Sequence, residues 1–290
     1  MRRYALALLA ATATMSVIAQ PITTAAQSRR ADPAVQTLAY GTEEEQQLDY
    51  WPGASRDAPL VLFVHGGGWK RGDMGMMRGS DKLEHWQGLG YAVASINYRL
   101  VPDHTVEDQA GDVASAVAFL RDRSTTLGFN AGRIALVGHS AGAHLVALVG
   151  TDPQYLLGAG LAMDAVVGVI PLDGAGYDVP YQMSQNSWLM GDTYEQAFGT
   201  DPARQRALSP TFHTAAPNAP AFLILHVARD DARVQSNALA EALRRDGTAA
   251  TVQEFAGRGL RGHMQINREL GDPDYPATAV VDAFLARVFQ

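Results

Sequence analysis

Apolar runs alternate with amphipathic stretches along most of this chain. Leu60–Val64, Tyr91–Tyr98, Ile134–Val137, Ala165–Leu172, Ala221–Leu225 and Thr251–Phe255 are short and apolar. Runs of this kind suit parallel strands buried on both faces. An earlier strand ends at Leu48-Asp-Tyr-Trp51, with Pro52-Gly53 as its turn. Between the runs, Val106, Ala110, Val113, Val117 and Leu120 recur at spacings of three and four, the apolar face of a helix. Glu107, Asp108 and Asp112 lie toward its start and Arg121 and Arg123 toward its end, as the helix dipole favours. Leu83–Leu89, Ala238–Leu243 and Ala277–Phe289 also read as helices. Strand and helix in turn predict an α/β fold: a mostly parallel central sheet, right-handed crossovers, and helices on both faces. Residues 173–215 lose the rhythm and read as a small cap-like insertion over the strand ends, not a second domain.

Composition refines this picture. With 290 residues, 47% of them hydrophobic, the chain can bury one substantial core, expected over residues 41–290. Met1-Arg2-Arg3 followed by the apolar Tyr4–Ala19 reads as a secretory signal peptide within residues 1–26, cleaved after Ala19 or Ala26, and 27–40 as a polar tether. Export to the periplasm or the extracellular space is the expectation. Thr12, Thr14 and Ser16 weaken the apolar stretch, so no stable membrane insertion is expected, with an uncleaved anchor as the alternative reading. Loss of Arg2 and Arg3 with the leader takes the net charge from −7 to −9. Such an acidic domain, without a basic run, is a poor nucleic-acid binder. There is no cysteine, which excludes disulfides and thiol chemistry. No histidine or His/Asp spacing resembles a metal-ligand set, and no cofactor is implied. Oligomeric state leaves no mark on the sequence.

The chemistry centres on Gly138-His-Ser-Ala-Gly142, a G-x-S-x-G between the strand Ile134–Val137 and an apolar helix. The glycines suit a turn too tight for side chains, which lifts the Ser140 hydroxyl out of the sheet at a helix N-terminus. A serine needs a base to take its proton. Of the eight histidines, His65 and His139 belong to turns beside the serine, and His226 ends a strand, where a packed role is expected. His263 lies in the glycine-rich Gly257–Ile266 stretch after the last strand, read as a loop, and is the candidate base. The base needs an acid. Asp230 and Asp231 follow the Ala221–Leu225 strand, which gives the chain order Ser, Asp, His. Asp231, three residues before Val234, is preferred over Asp230; if neither faces His263, Asp173 after the Ala165–Leu172 strand is the fallback. Backbone N–H groups of Gly66 and Gly67 in His65-Gly-Gly-Gly-Trp69, with that of Ala141, can form an oxyanion hole. The glycines match neither the Walker nor the dinucleotide pattern.

His65-Gly-Gly-Gly-Trp-Lys-Arg-Gly-Asp73, Asn97-Tyr-Arg-Leu100, Gly138-His-Ser-Ala-Gly-Ala-His-Leu145 and Gly262-His263 together resemble α/β-hydrolase-fold carboxylesterases. The resemblance is closest to bacterial feruloyl esterases of the BD-FAE type and to hormone-sensitive-lipase-like esterases. It implies hydrolysis of small carboxylic esters through an acyl-enzyme. The common Gly-x-x-Asp-x-x-Val after the acid-bearing strand is altered here, with a valine, Val227, in the glycine position counted back from Asp230. Two other readings compete: an arylformamidase-type amide hydrolase, similar in motif and fold, and a catalytically silent binding module. The silent module is disfavoured because serine, histidine and glycine turn are all present. Acyl and alcohol specificity would fall to residues 173–215, where Tyr177, Tyr181, Trp188 and Met190 line the pocket or pack the insertion.

Overall fold

The apolar runs become strands in the computed structural model, which describes residues 35–185, 191–215 and 217–290. The strands are β1 (Gln36–Ala39), β2 (Gln47–Trp51), β3 (Leu60–Val64), β4 (Ala92–Ile96), β5 (Ile134–His139), β6 (Gly168–Leu172), β7 (Ala221–Ala228) and β8 (Ala249–Arg258). They form a single eight-stranded sheet in the order β1-β2-β4-β3-β5-β6-β7-β8. The β1–β2 and β2–β4 pairs are antiparallel and the rest are parallel. Strands β3, β4, β5 and β6 are buried at every position, as expected where helices cover both faces.

Side-chain alternation within β3 sorts those faces. Leu60, Leu62 and Val64 join one core cluster with residues of α2 (Val106–Leu127), α3 (Ala141–Thr151) and α8 (Asp230–Arg245). Val61 and Phe63 join the other, with α1 (Asp81–Gly88), α9 (Gly259–Glu269) and α10 (Pro276–Val288). Helix α2 starts at a Thr105/Asp108 capping box and stops at Gly128, whose φ of 79° only glycine adopts without strain. The insertion carries the short helices α5 (Val179–Ser184), α6 (Gly191–Phe198) and α7 (Pro202–Ala207), and α4 (Pro153–Gly158) precedes β6. Among the described residues no helix is long and apolar enough to cross a membrane.

Three local expectations need correction. Residues 36–39 are an edge strand, not tether: Thr37 bonds Asp49 at 2.7 Å and Leu38 packs on the core. An edge strand exposed on one side carries little apolar signal. The expected loop after Leu225 barely exists, since β7 runs to Ala228 and α8 starts at Asp230. His263 sits on α9, not on a loop. The glycines there serve close packing: a Cβ on Gly262 would come within 2.6 Å of the Gly257 backbone. The expected signal peptide, residues 1–26, falls outside the described residues.

Helix α9 is tied to α1 by Lys82, which is buried. Its Nζ sits over the Phe63 ring, 5.5 Å from the ring centre. The ammonium donates to the carbonyl of Asn267 in the last turn of α9, where the helix dipole favours a cation. Burial lowers the amine to about 8, partly opposed by Asp81. The folded value lies below the unfolded one, so between them the unfolded chain binds the extra proton and stability rises with pH. In urea titrations, the stability difference between wild type and Lys82→Met therefore shifts toward wild type from pH 8 to pH 10, with a slope approaching ~1.4 kcal/mol per pH unit. A difference independent of pH would contradict a buried, titrating Lys82.

Candidate active site

Strands β5, β6 and β7 and helix α9 deliver their functional groups to one edge of the sheet. At the end of β5, Ser140 adopts φ 57° and ψ −117°, an uncommon conformation for a residue with a side chain. Strain of this kind costs on the order of 1–3 kcal/mol and persists only when its surroundings enforce it. The surroundings here are backbone. A Cβ on Gly138 would lie 2.2 Å from the carbonyl oxygen of Gly142, and one on Gly142 would lie 2.1 Å from that of Val64. The Ser140 N–H donates to the Leu172 carbonyl at 3.1 Å, and the Ser140 carbonyl accepts from His144 N–H at 3.2 Å. The turn is thus stitched to β6 and to α3, with Ser140 as the N-cap of α3.

The glycine loop lies directly against that turn. A Cβ on Gly66 would be 2.9 Å from both the His139 carbonyl oxygen and Ser140 Cβ. The N–H groups of Gly66 and Gly67 donate to no other group among the described residues. Ala141 opens α3, so its N–H has no intrahelical partner. These are donors of the kind an oxyanion requires.

Neighbouring motifs brace the loop. The Tyr98 ring stacks on His65 at 4.4 Å, and its hydroxyl donates to the His65 carbonyl at 2.9 Å. Asn97 Oδ1 accepts from Met74 N–H at 2.5 Å, and Arg99 pairs with the buried Asp112 at 2.8 Å. The Trp69 carbonyl accepts from Gln109 Nε2 at 2.7 Å. Its indole N–H reaches His144 Nδ1 at 3.3 Å, while His144 Nε2 donates to the Leu208 carbonyl at 2.8 Å. Burial lowers His144 to about 4, so it is neutral and serves as a bridge. Tyr194 and Phe198 of the insertion pack their rings on Trp69. The insertion therefore supports the glycine loop.

The carboxylate that meets His263 differs from the sequence expectation. His263 Nδ1 lies 2.6 Å from Asp173 Oδ2, at the end of β6. Two acceptors at that distance would repel, so Nδ1 carries the proton and Nε2 is the free acceptor. Asp173 is fully buried, with φ 47°, and its Oδ1 accepts from Val227 N–H at 3.0 Å. Burial raises this carboxyl, but the His263 bond and the Arg229 charge outweigh it and hold the group below the usual range.

Neither aspartate of the Asp230–Asp231 pair bonds His263. Both begin α8, and Arg229 stands between them and the imidazole. Asp231 accepts a two-pronged bond from Arg229 at 3.0 and 3.3 Å. Asp230 is solvent-facing, its side chain 98% exposed, with Arg233 at 3.4 Å. The extension of β7 by three residues beyond Leu225 moved the pair out of reach.

Two supporting roles are not marked in the sequence, that of His139, expected only to flank the serine, and that of Arg229. His139 packs its ring 4.5 Å from the His263 ring and donates Nε2–H to the His263 carbonyl at 2.9 Å. Burial, then the neighbouring His263, push His139 down to about 3, so it remains a neutral prop. Arg229 Nη1 lies 2.9 Å from Asp173 Oδ2. No pattern marks either role, although an aspartate closing an apolar strand, as in Leu172-Asp173, is a signal for the acid. His226, as expected, is packed: Nδ1–H donates to the Val227 carbonyl at 2.9 Å.

A cavity of about 310 Å³ opens beside Gly66, lined also by Phe63, His65, Met76, Lys82 and Met264. None of its lining residues comes from the described part of 173–215. Tyr177 is fully buried and packs within the insertion, and Trp188 and Met190 lie outside the described residues.

The BD-FAE family model matches residues 48–243. Esterase LipC of Mycobacterium tuberculosis is 32% identical over 204 residues, 67% of this chain and 50% of that protein. The chain thus spans about half the length of this curated relative, and 56% of esterase LipQ of the same organism, at 30% identity. Among solved structures, inhibited esterase B from Lactobacillus rhamnosis superposes with a TM-score of 0.71 at 22% identity, over 89% of this chain and 87% of that one. At that identity the likeness is one of fold, the α/β-hydrolase fold.

The short Asp173 bond is testable without substrate. A far-downfield proton resonance from His263 Nδ1–H is expected in wild type and in Asp231→Asn, and lost in Asp173→Asn. Its loss in Asp231→Asn alone would reverse the assignment.

Proposed function

Because this chain belongs to the BD-FAE family, we propose that it is a carboxylesterase-type serine hydrolase acting on small carboxylic esters. The observation that carries the reading is the His263–Asp173 bond at 2.6 Å, on the same sheet edge as the strained Ser140 turn and its glycine loop.

In this reading His263 Nε2 takes the Ser140 hydroxyl proton as Oγ attacks the ester carbonyl carbon. The carbonyl electron pair moves to oxygen, which accepts from the N–H groups of Gly66, Gly67 and Ala141. The imidazolium then gives its proton to the departing alcohol oxygen as the C–O bond breaks. Water repeats the sequence on the acyl-enzyme and releases the acid. Asp173 holds Nδ1–H and stabilises the imidazolium at each stage. The esterase names of the relatives support ester over amide cleavage. The basic start and apolar run of residues 1–19 support action outside the cytoplasm.

A panel of p-nitrophenyl acetate and butyrate, methyl ferulate and N-formylkynurenine tests the proposal. Esters should be cleaved faster than the formamide, with Ser140→Ala lowering kcat by roughly a thousandfold or more. Asp173→Asn should cost on the order of ten-thousand-fold in kcat. Preferential cleavage of the formamide would favour the arylformamidase reading, and undiminished hydrolysis by Ser140→Ala would refute the nucleophile.

A further inference from the structure

We propose that Arg229 and Asp231 form a charge-compensated clamp that positions the triad carboxylate and tunes His263. The inference rests on the hydrolase reading above. Where a strand-β7 loop acid was expected, the chain instead places a guanidinium. Arg229 is the residue between β7 and α8, with its side chain 16% exposed. Its Nη1 donates to Asp173 Oδ2 at 2.9 Å, the same oxygen that accepts His263 Nδ1–H. Nη1 is also 2.9 Å from His263 Nδ1. Since both nitrogens carry hydrogen, this is two donors converging on one oxygen, not a bond between them.

The rest of the guanidinium is fixed by Asp231. Nε and Nη2 reach its two oxygens at 3.3 and 3.0 Å. Burial alone would lower the guanidinium, but Asp173 and Asp231 outweigh it and hold its pKa raised. The geometry resists a lysine substitute, because only the planar fork can engage both carboxylates at once.

Charge explains why the pair is needed. A lone Arg229 would stiffen Asp173 but oppose the imidazolium that forms when His263 takes the serine proton. Asp231 offsets that opposition. With the imidazolium formed, Asp173, Asp231, Arg229 and His263 sum to zero. Arg229 thus keeps its directional bond while its field at His263 is largely cancelled. The other groups facing His263 are the neutral His139 at the end of β5 and, beyond it, Lys82 of α1. Tyr177, Tyr194 and Tyr275 face Asp173 or the Arg229–Asp231 pair, and Arg258 at the end of β8 and Arg261, Arg268 and Glu269 of α9 are further charges of these elements. All of these are unchanged in the variants below.

The test is the pH profile of kcat/KM for p-nitrophenyl butyrate in wild type, Asp231→Asn and Arg229→Met. Asp231→Asn leaves the guanidinium uncompensated, so its acidic limb should move to lower pH by roughly half a pH unit or more. Arg229→Met leaves Asp231 uncompensated, so its limb should move the opposite way, with kcat reduced at least tenfold and KM little changed. Opposed shifts support the clamp, since a merely structural contact would not move the limb in two directions. Unmoved limbs, or shifts of one sign in both variants, would overturn it. If Arg229→Met does not fold, Asp231→Asn decides alone: a lowered limb supports the clamp and an unmoved one refutes it. If wild type cleaves no ester in the panel, the hydrolase reading itself has failed, which is a distinct result.

Discussion

The buried carboxylate of Asp173 is the constraint on which the site depends. A fully buried charge costs several kcal/mol unless its oxygens are satisfied. Three donors meet that need: the Val227 N–H, the Arg229 guanidinium and the His263 imidazole. They come from within β7, from the junction of β7 and α8, and from α9. Satisfying one carboxylate therefore fixes the end of β6, the β7–α8 junction and α9 relative to one another, although they are well separated in sequence. His263, the proposed base, is located as a by-product of solving a desolvation problem.

The sheet makes the strain affordable. Ser140 and Asp173 both adopt positive φ at the ends of neighbouring strands. Each is locked by a backbone bond to the next strand, Ser140 N–H to Leu172 and Asp173 N–H to Leu225. The parallel ladder β5-β6-β7 continues into the turns, so their distortion is enforced by strands buried almost throughout. Opposite, the glycine loop is braced by Tyr98, Gln109 and the insertion's aromatic rings on Trp69. Two histidines that look catalytic, His139 and His144, are neutral supports created by burial.

Much of this was legible in the chain, and the reasons for the rest are local. Parallel strands bury both faces, so Leu60–Val64 and Ile134–Val137 announced themselves as apolar runs. The Ser140 turn did so through its glycines. The acid was obscured because Asp173-Gly-Ala-Gly176 reads as the start of a loop, while Asp230-Asp231 looks like a loop acid. In fact those two aspartates occupy the first turn of α8, where the helix dipole favours them. His263 was read onto a loop because glycine usually breaks helices. Gly257 and Gly262 instead allow α9 to pack against the end of β8. An arginine bridging two carboxylates has no periodicity or spacing, so only the folded geometry reveals it.

The central claim is that Ser140 is the nucleophile, activated by a His263 held by Asp173. The most direct measurement is a structure of the protein after reaction with a p-nitrophenyl alkylphosphonate. Phosphorus is expected on Ser140 Oγ, with the phosphoryl oxygen about 2.7–3.1 Å from the N–H groups of Gly66, Gly67 and Ala141. His263 should still be bonded to Asp173. An unmodified Ser140, an adduct on another residue, or His263 turned to Asp231 would contradict it.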